Sequence, residues 1–200
     1  MTGHMGWGHM GWGHMGWGHM GWGHMGWVWG WGLAVTLVLA APAARAADSK
    51  VAMALATPTG PGDSIGDITI SQSASGAMFT LNLKKLPPGP HGFHVHEKGS
   101  CGPATVNNVA VLAGAAGGHW DSGHTGKHEG PAGAGHSGDL PVLVAGGDGT
   151  ASQSLTASRI KDIALLKGHA LMILLNGDNY SDQPAALGGG GARFACGVIN

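Results

Sequence analysis

The pentapeptide Gly92-Phe93-His94-Val95-His96 restricts what this chain can fold into more than any other stretch. Successive side chains of an extended strand point to opposite faces, so His94 and His96 lie on one face and aim two imidazoles at one point. Further along, His119, His128, His136 and Asp139 follow the spacing His-x8-His-x7-His-x2-Asp on a Gly-rich stretch. Nitrogen and oxygen donors in such a set suit Zn2+. Two metal sites, close together, are expected.

Short β-rich or alternating runs surround this motif: 50–57, 67–71, 77–83, 92–96, 140–144, 153–156, 169–175 and 195–199. Clusters such as Thr59-Gly60-Pro61-Gly62-Asp63 and Leu86-Pro87-Pro88-Gly89-Pro90 separate the first of them. About eight strands at this spacing predict an all-β antiparallel sandwich or barrel. Residues 158–167 allow one helical turn or two, with Ile160, Ile163 and Leu166 inward. The chain has 39 glycines, concentrated in the first 32 residues, around the histidines and near the C-terminus, which favours strands and long loops over helices. With 10% charged residues and no basic run, no nucleic-acid footprint is present. Cys101 and Cys196 are the two cysteines. They fit a single disulfide in an oxidising compartment, and two buried free thiols are the alternative.

The N-terminal 46 residues have a different character. Residues 3–27 are five copies of Gly-His-Met-Gly-Trp. A period of five matches neither helix nor strand, and so much glycine opposes packing, so residues 1–27 are expected to be disordered. Imidazole and thioether donors suit copper, especially Cu(I), and make a copper-collecting tail one reading. The other is an expanded repeat upstream of the true start, or a tract that processing removes. Residues 28–41 form an apolar run too short to span a bilayer comfortably, followed by Ala44-Arg45-Ala46. This pattern predicts a secretory signal over residues 28–46 with cleavage after Ala46, leaving a mature domain of residues 47–200 with no stable membrane anchor. No Lys or Arg precedes the apolar run, and a start at Met25 would shorten the leader from 46 residues to 22.

The segments Gly92 to His96, His119, Lys127-His128-Glu129-Gly130-Pro131, Gly135 to Pro141 and Gly188 to Ile199 together resemble the copper/zinc superoxide dismutases, most closely their bacterial periplasmic branch. The resemblance covers about residues 48–200. It implies an eight-stranded Greek-key barrel with long metal-binding and electrostatic loops, in a periplasmic or secreted protein, monomer or homodimer, that acts on superoxide. It implies copper on His94, His96 and His119, and zinc on His119, His128, His136 and Asp139, with His119 shared between the two. Asp178 resembles a carboxylate that fixes one ring of each site. Arg193 matches a cation that attracts and orients superoxide. Cys101 and Cys196 match an intrasubunit disulfide. His91 matches a histidine that supports structure, whereas His124 and His169 read as exposed loop or strand-end residues.

One departure matters. Where the family carries a fourth copper-ligating histidine, this chain reads Ala170-Leu171-Met172-Ile173-Leu174, and the isobutyl group of Leu174 has no lone pair. His169 would face the other side of an unbroken strand and is a poor substitute. The sequence therefore supports two readings: an exported superoxide dismutase with full or impaired turnover, and a non-catalytic zinc or copper binding protein on the same scaffold. Retention of Arg193 favours the enzyme, because a metal store has no use for an anion guide. N-terminal sequencing of the exported protein is expected to begin at Ala47; finding His4 to His24 on the mature chain would refute cleavage there.

Overall fold

The computed structural model describes residues 47–200. The repeats and the signal segment lie outside these residues. Within them run eleven strands: β1 (Ser49–Thr57), β2 (Gly60–Ser73), β3 (Gly76–Leu83), β4 (Gly89–His91), β5 (Phe93–His96), β6 (Ala104–Val106), β7 (Val109–Val111), β8 (Leu143–Ala145), β9 (Ser154–Ala157), β10 (Ala170–Leu174) and β11 (Arg193–Val198). Seven form one antiparallel sheet in the order β5-β10-β11-β1-β2-β3-β9, and β4 pairs with β8. The neighbours β5 with β10, β11 with β1 and β3 with β9 are far apart in sequence, and these crossovers make the curled sheet a Greek key. Because β4 runs into β5 across Gly92, the two act as one bent strand, and eight strands build the half-barrel as expected. The β6–β7 hairpin is additional.

Alternation explains the core. Ala77, Phe79, Leu81 and Leu83 of β3 point inward, and the ring of Phe79 meets Phe93 edge-on at 5.6 Å. In β2 the buried residues change parity, from Ile65 to Ile68 and Ile70. The register shifts there, since Met53 pairs with Gly66 but Ala54 with Ser64, and the extra residue of this bulge lets Ile65 face the core. Gly66 adopts φ +122°, and a Cβ there would lie 2.0 Å from the Asn82 carbonyl oxygen, so the bulge requires glycine. Ile160, Ile163 and Leu166 are buried around one 3-10 turn, Ile163–Leu166, as the sequence anticipates.

One expectation is corrected, and one hairpin is added. Gly60 to Asp63 is not a separator but the start of β2, with Thr57 opposite Gly60 and Ala56 opposite Pro61, so the turn is confined to Pro58 and Thr59. Proline is tolerated because the pairing is interrupted by register shifts there. The β6–β7 hairpin was not anticipated, although its turn residues Asn107 and Asn108 both adopt positive φ, as a two-residue hairpin turn demands.

Strand pairing also decides where the histidines go. Met172 lies opposite His94 and Ala170 opposite His96. Facing residues of an antiparallel pair share one side of the sheet. Phe93 and Val95 therefore join the main core with Leu171 and Ile173, while Ala170, Met172 and Leu174 pack on the other side against Ala113, Ala116, Cys101 and Cys196. The histidines thus stand on the outer face of the half-barrel, beneath the long segments 112–142 and 175–192. Cys101 and Cys196, separated by 95 positions in sequence, form a disulfide with 5.7 Å between their Cα atoms. A Cys101→Ser, Cys196→Ser variant is expected to lose up to about 4.7 kcal/mol of unfolding free energy, the chain-entropy value for a closed loop of this length, as measured by urea denaturation.

Candidate metal centre

Six side chains singled out in the sequence, His94, His96, His119, His128, His136 and Asp139, are all buried and close together. Hydrogen bonds on the far side of each ring fix how the imidazoles present themselves. The Asp178 carboxylate accepts from His94 Nε2 at 2.7 Å through one oxygen and from His128 Nε2 at 2.8 Å through the other. An ionised carboxylate only accepts, so both Nε2 atoms carry hydrogen and both Nδ1 atoms turn towards the cluster. The Gly117 carbonyl plays the same part for His96, accepting from Nδ1 at 3.0 Å and leaving Nε2 inward. His94 Nδ1, His96 Nε2, His128 Nδ1 and His136 Nδ1 are buried without a hydrogen-bond partner. Buried nitrogens are seldom left so, and four together are the mark of a cation's donor set.

Asp139 collects the other half of the cluster. Its Oδ1 accepts from His119 Nδ1 at 3.0 Å. His128 Nδ1 lies 3.0 Å from Oδ2 and His136 Nδ1 3.5 Å from Oδ1, yet neither contact has hydrogen-bond geometry. Ligand atoms of His94, His119, His128 and Asp139 fall within 4.8 Å of one another, a spacing that suits a metal ion. The rings of His96 and His136 lie 5.1 and 5.4 Å from that of His119, and their unpaired nitrogens extend the set. Nitrogen with one carboxylate suits zinc, and an all-imidazole group suits copper, so the donors present fit both ions.

Burial pushes the His119 imidazole down to about 4, against the pull of Asp139. Burial, with His119 and Arg193 nearby, also holds His96 well below the usual imidazole value. At His128 burial acts downward too, but the flanking Asp139 and Asp178 carboxylates outweigh it and raise the group to about 9. Metal uptake at neutral pH therefore displaces a proton from His128. Burial opposes ionisation of Asp139 and Asp178, yet the surrounding imidazoles hold both well below the usual carboxylate range.

A cleft of about 410 Å3 opens over His96, His119 and Arg193, and Leu174 forms part of its wall. The Arg193 guanidinium is aimed by two carbonyls, donating to Ala113 O and Gly117 O at 2.7 Å each. Gly117 O thus serves both His96 and Arg193. Of the remaining histidines, His91 is buried with its ring nitrogens 2.8 Å from the carbonyls of Leu174 and Pro87, a structural role. His124 is exposed, as expected. His169 is half-buried rather than exposed, because its ring packs on Trp120 and Nδ1 lies 3.1 Å from His96 O.

Three supporting residues escaped the sequence reading. Asp182 accepts from the backbone N–H of His128 at 2.9 Å and of Leu187 at 3.1 Å, joining the two long loops. Arg159 donates to the carbonyls of His136 and Gly135. The Tyr180 hydroxyl accepts from Val142 N at 2.9 Å. No local pattern marks Asp182 or Arg159, whose partners in the segment 112–142 are 23 to 54 residues away.

A Greek-key half-barrel with buried histidines and an aspartate arranged for metal on its outer face defines a β-barrel metalloprotein. The family model of copper/zinc superoxide dismutase matches residues 64–199. Superoxide dismutase [Cu-Zn] 2 of Salmonella typhimurium is 58% identical over 143 residues, 72% of this chain and 83% of that protein. Among solved structures, the copper/zinc superoxide dismutase of Brucella abortus superposes with a TM-score of 0.76 at 51% identity, covering 77% of this chain and 100% of that one. A monomeric copper, zinc superoxide dismutase from Salmonella enterica matches with a TM-score of 0.70 at 56% identity, over 77% and 100% of the two chains. The chain belongs to the copper/zinc superoxide dismutase family, which uses copper and zinc. Because Asp178 orients a ring on each side of the cluster, Asp178→Asn is expected to lower metal affinity about 10- to 100-fold, as read by chelator competition.

Proposed function

We propose that this protein is an exported superoxide dismutase whose turnover is impaired by Leu174. The observation that carries the reading is the set of four buried, unpaired imidazole nitrogens, three of them on rings whose second nitrogen Asp178 or Gly117 engages. In this reading His94 Nδ1, His96 Nε2 and His119 hold copper, and His119, His128 Nδ1, His136 Nδ1 and Asp139 hold zinc. Copper, when bound, supplies a centre that alternately oxidises one superoxide to O2 and reduces a second to hydrogen peroxide, with uptake of two protons.

The protein's own groups supply the rest. Arg193, clamped by Ala113 O and Gly117 O, attracts the anion and orients it over His96 and His119. His119 Nδ1 faces Asp139 on the side of the proposed zinc ligands, so Nε2 is the atom left to carry a proton at the cleft. Asp178 keeps the rings of His94 and His128 from rotating. Leu174 stands where the family places a fourth copper ligand, and without its nitrogen the copper half has three donors. Three donors would suit Cu(I) better than Cu(II), so Cu(II) would be held more weakly than by a four-donor set. The disulfide and the signal-like segment support export to the periplasm or beyond.

A second reading, a non-catalytic zinc or copper binding protein, is favoured by Leu174 alone and opposed by the aimed Arg193. Metal content and superoxide decay by pulse radiolysis, measured on one preparation, separate the two. Full zinc, partial copper and turnover below the diffusional ceiling are expected. Leu174→His is expected to raise turnover about tenfold or more, the rate equivalent of about 1.4 kcal/mol. Unimpaired turnover in the natural chain would refute the impairment, and none in either chain would refute the enzyme.

A further inference from the structure

The cleft over Arg193 is far larger and far less polar than a diatomic anion requires. Its volume is about 410 Å3, whereas a water molecule's share of liquid is about 30 Å3. Pockets of roughly 300 Å3 and upward are the size that takes small organic ligands. The walls are the side chains of Leu174, Ala185, Ala186 and Leu187, with a glycine backbone over residues 189–191. From Gln183 to Ala192 the loop carries no charged side chain. Asp182, just before it, is committed to the backbone N–H groups of His128 and Leu187. Arg193 is thus the one formally charged side chain lining the cleft. A guanidinium has five N–H donors and two are spent on the carbonyls of Ala113 and Gly117, so donor capacity remains for a ligand.

Leu187 strengthens the case. It adopts φ 53° and ψ 43°, left-handed values that a bulky side chain rarely takes, and its amide is held there by Asp182. The side chain is 42% exposed yet lines the cleft, so an apolar surface is maintained at the rim rather than folded into the core. We propose that the cleft binds small organic monocarboxylates, with the carboxylate on Arg193 and an apolar body of about phenyl or pentyl size against Leu174, Ala185, Ala186 and Leu187. The inference uses the same cleft as the dismutase reading but none of its metal chemistry.

Isothermal titration calorimetry of the full chain as purified, with zinc and copper content measured on the same sample, tests this with four probes. Benzoate and hexanoate carry both features, acetate the charge alone and benzamide the ring alone. Benzoate and hexanoate are expected to bind at least about tenfold more tightly than acetate, given several buried carbons, and more tightly than benzamide. Leu187→Ser, a change at an exposed position, is expected to remove most of the advantage over acetate, and Arg193→Gln most of the advantage over benzamide. Equal affinity for acetate and benzoate, equal affinity for benzamide and benzoate, or benzoate binding unchanged in Leu187→Ser would each overturn the proposal. Superoxide decay in the same samples reports separately on the dismutase reading: benzoate bound without turnover leaves this inference standing, and turnover without benzoate binding leaves the other.

Discussion

The buried histidine cluster depends first on one buried carboxylate. Asp178 has a fully buried side chain and ties His94, on a strand of the half-barrel, to His128, in a long loop. Without partners a buried charge would be strongly unfavourable, so its stability and the ring orientations are one interaction viewed from two sides. Neighbouring backbone has adapted to it. The Tyr180 amide donates to Asp178 at 2.7 Å, and Gly188 passes so close that a Cβ would lie 1.9 Å from a carboxylate oxygen. Any side chain at 188 would expel the acid that holds both rings.

The half-barrel positions the cluster through pairing rather than through its core. β5 presents Phe93 and Val95 to the interior and His94 and His96 to the outside, and the same alternation in β10 sends Leu171 and Ile173 inward. The two long loops close over the outer face, joined to each other by Asp182 and pinned by Arg159. Exposed residues of a sheet face thereby become buried donors, with the polar groups of the loops supplying hydrogen bonds that solvent would otherwise supply.

The parts legible in the sequence were those governed by local rules. Period-two alternation marked β3 and an apolar, β-rich run marked β10, while strand alternation at His94 and His96 and the spacing of His119, His128, His136 and Asp139 marked the six side chains that the fold buries together. Residues whose meaning is a distant partner were silent: Asp182 reads as a loop acid until His128 N, 54 positions away, is placed beside it. Gly60 to Asp63 misled because proline and glycine usually break strands, and here a register shift accommodates them. Asn107-Asn108 was legible in principle, since paired asparagines tolerate the left-handed turn, but the flanking strands are only three residues each.

The carbonyls of Ala113 and Gly117 both belong to the stretch that follows Cys101, and they are what hold the Arg193 guanidinium, three residues before Cys196. The disulfide therefore fastens together the two sides of a clamp whose jaw is a cation. Reduction would remove that fastening and leave the aim of the guanidinium to its two hydrogen bonds alone.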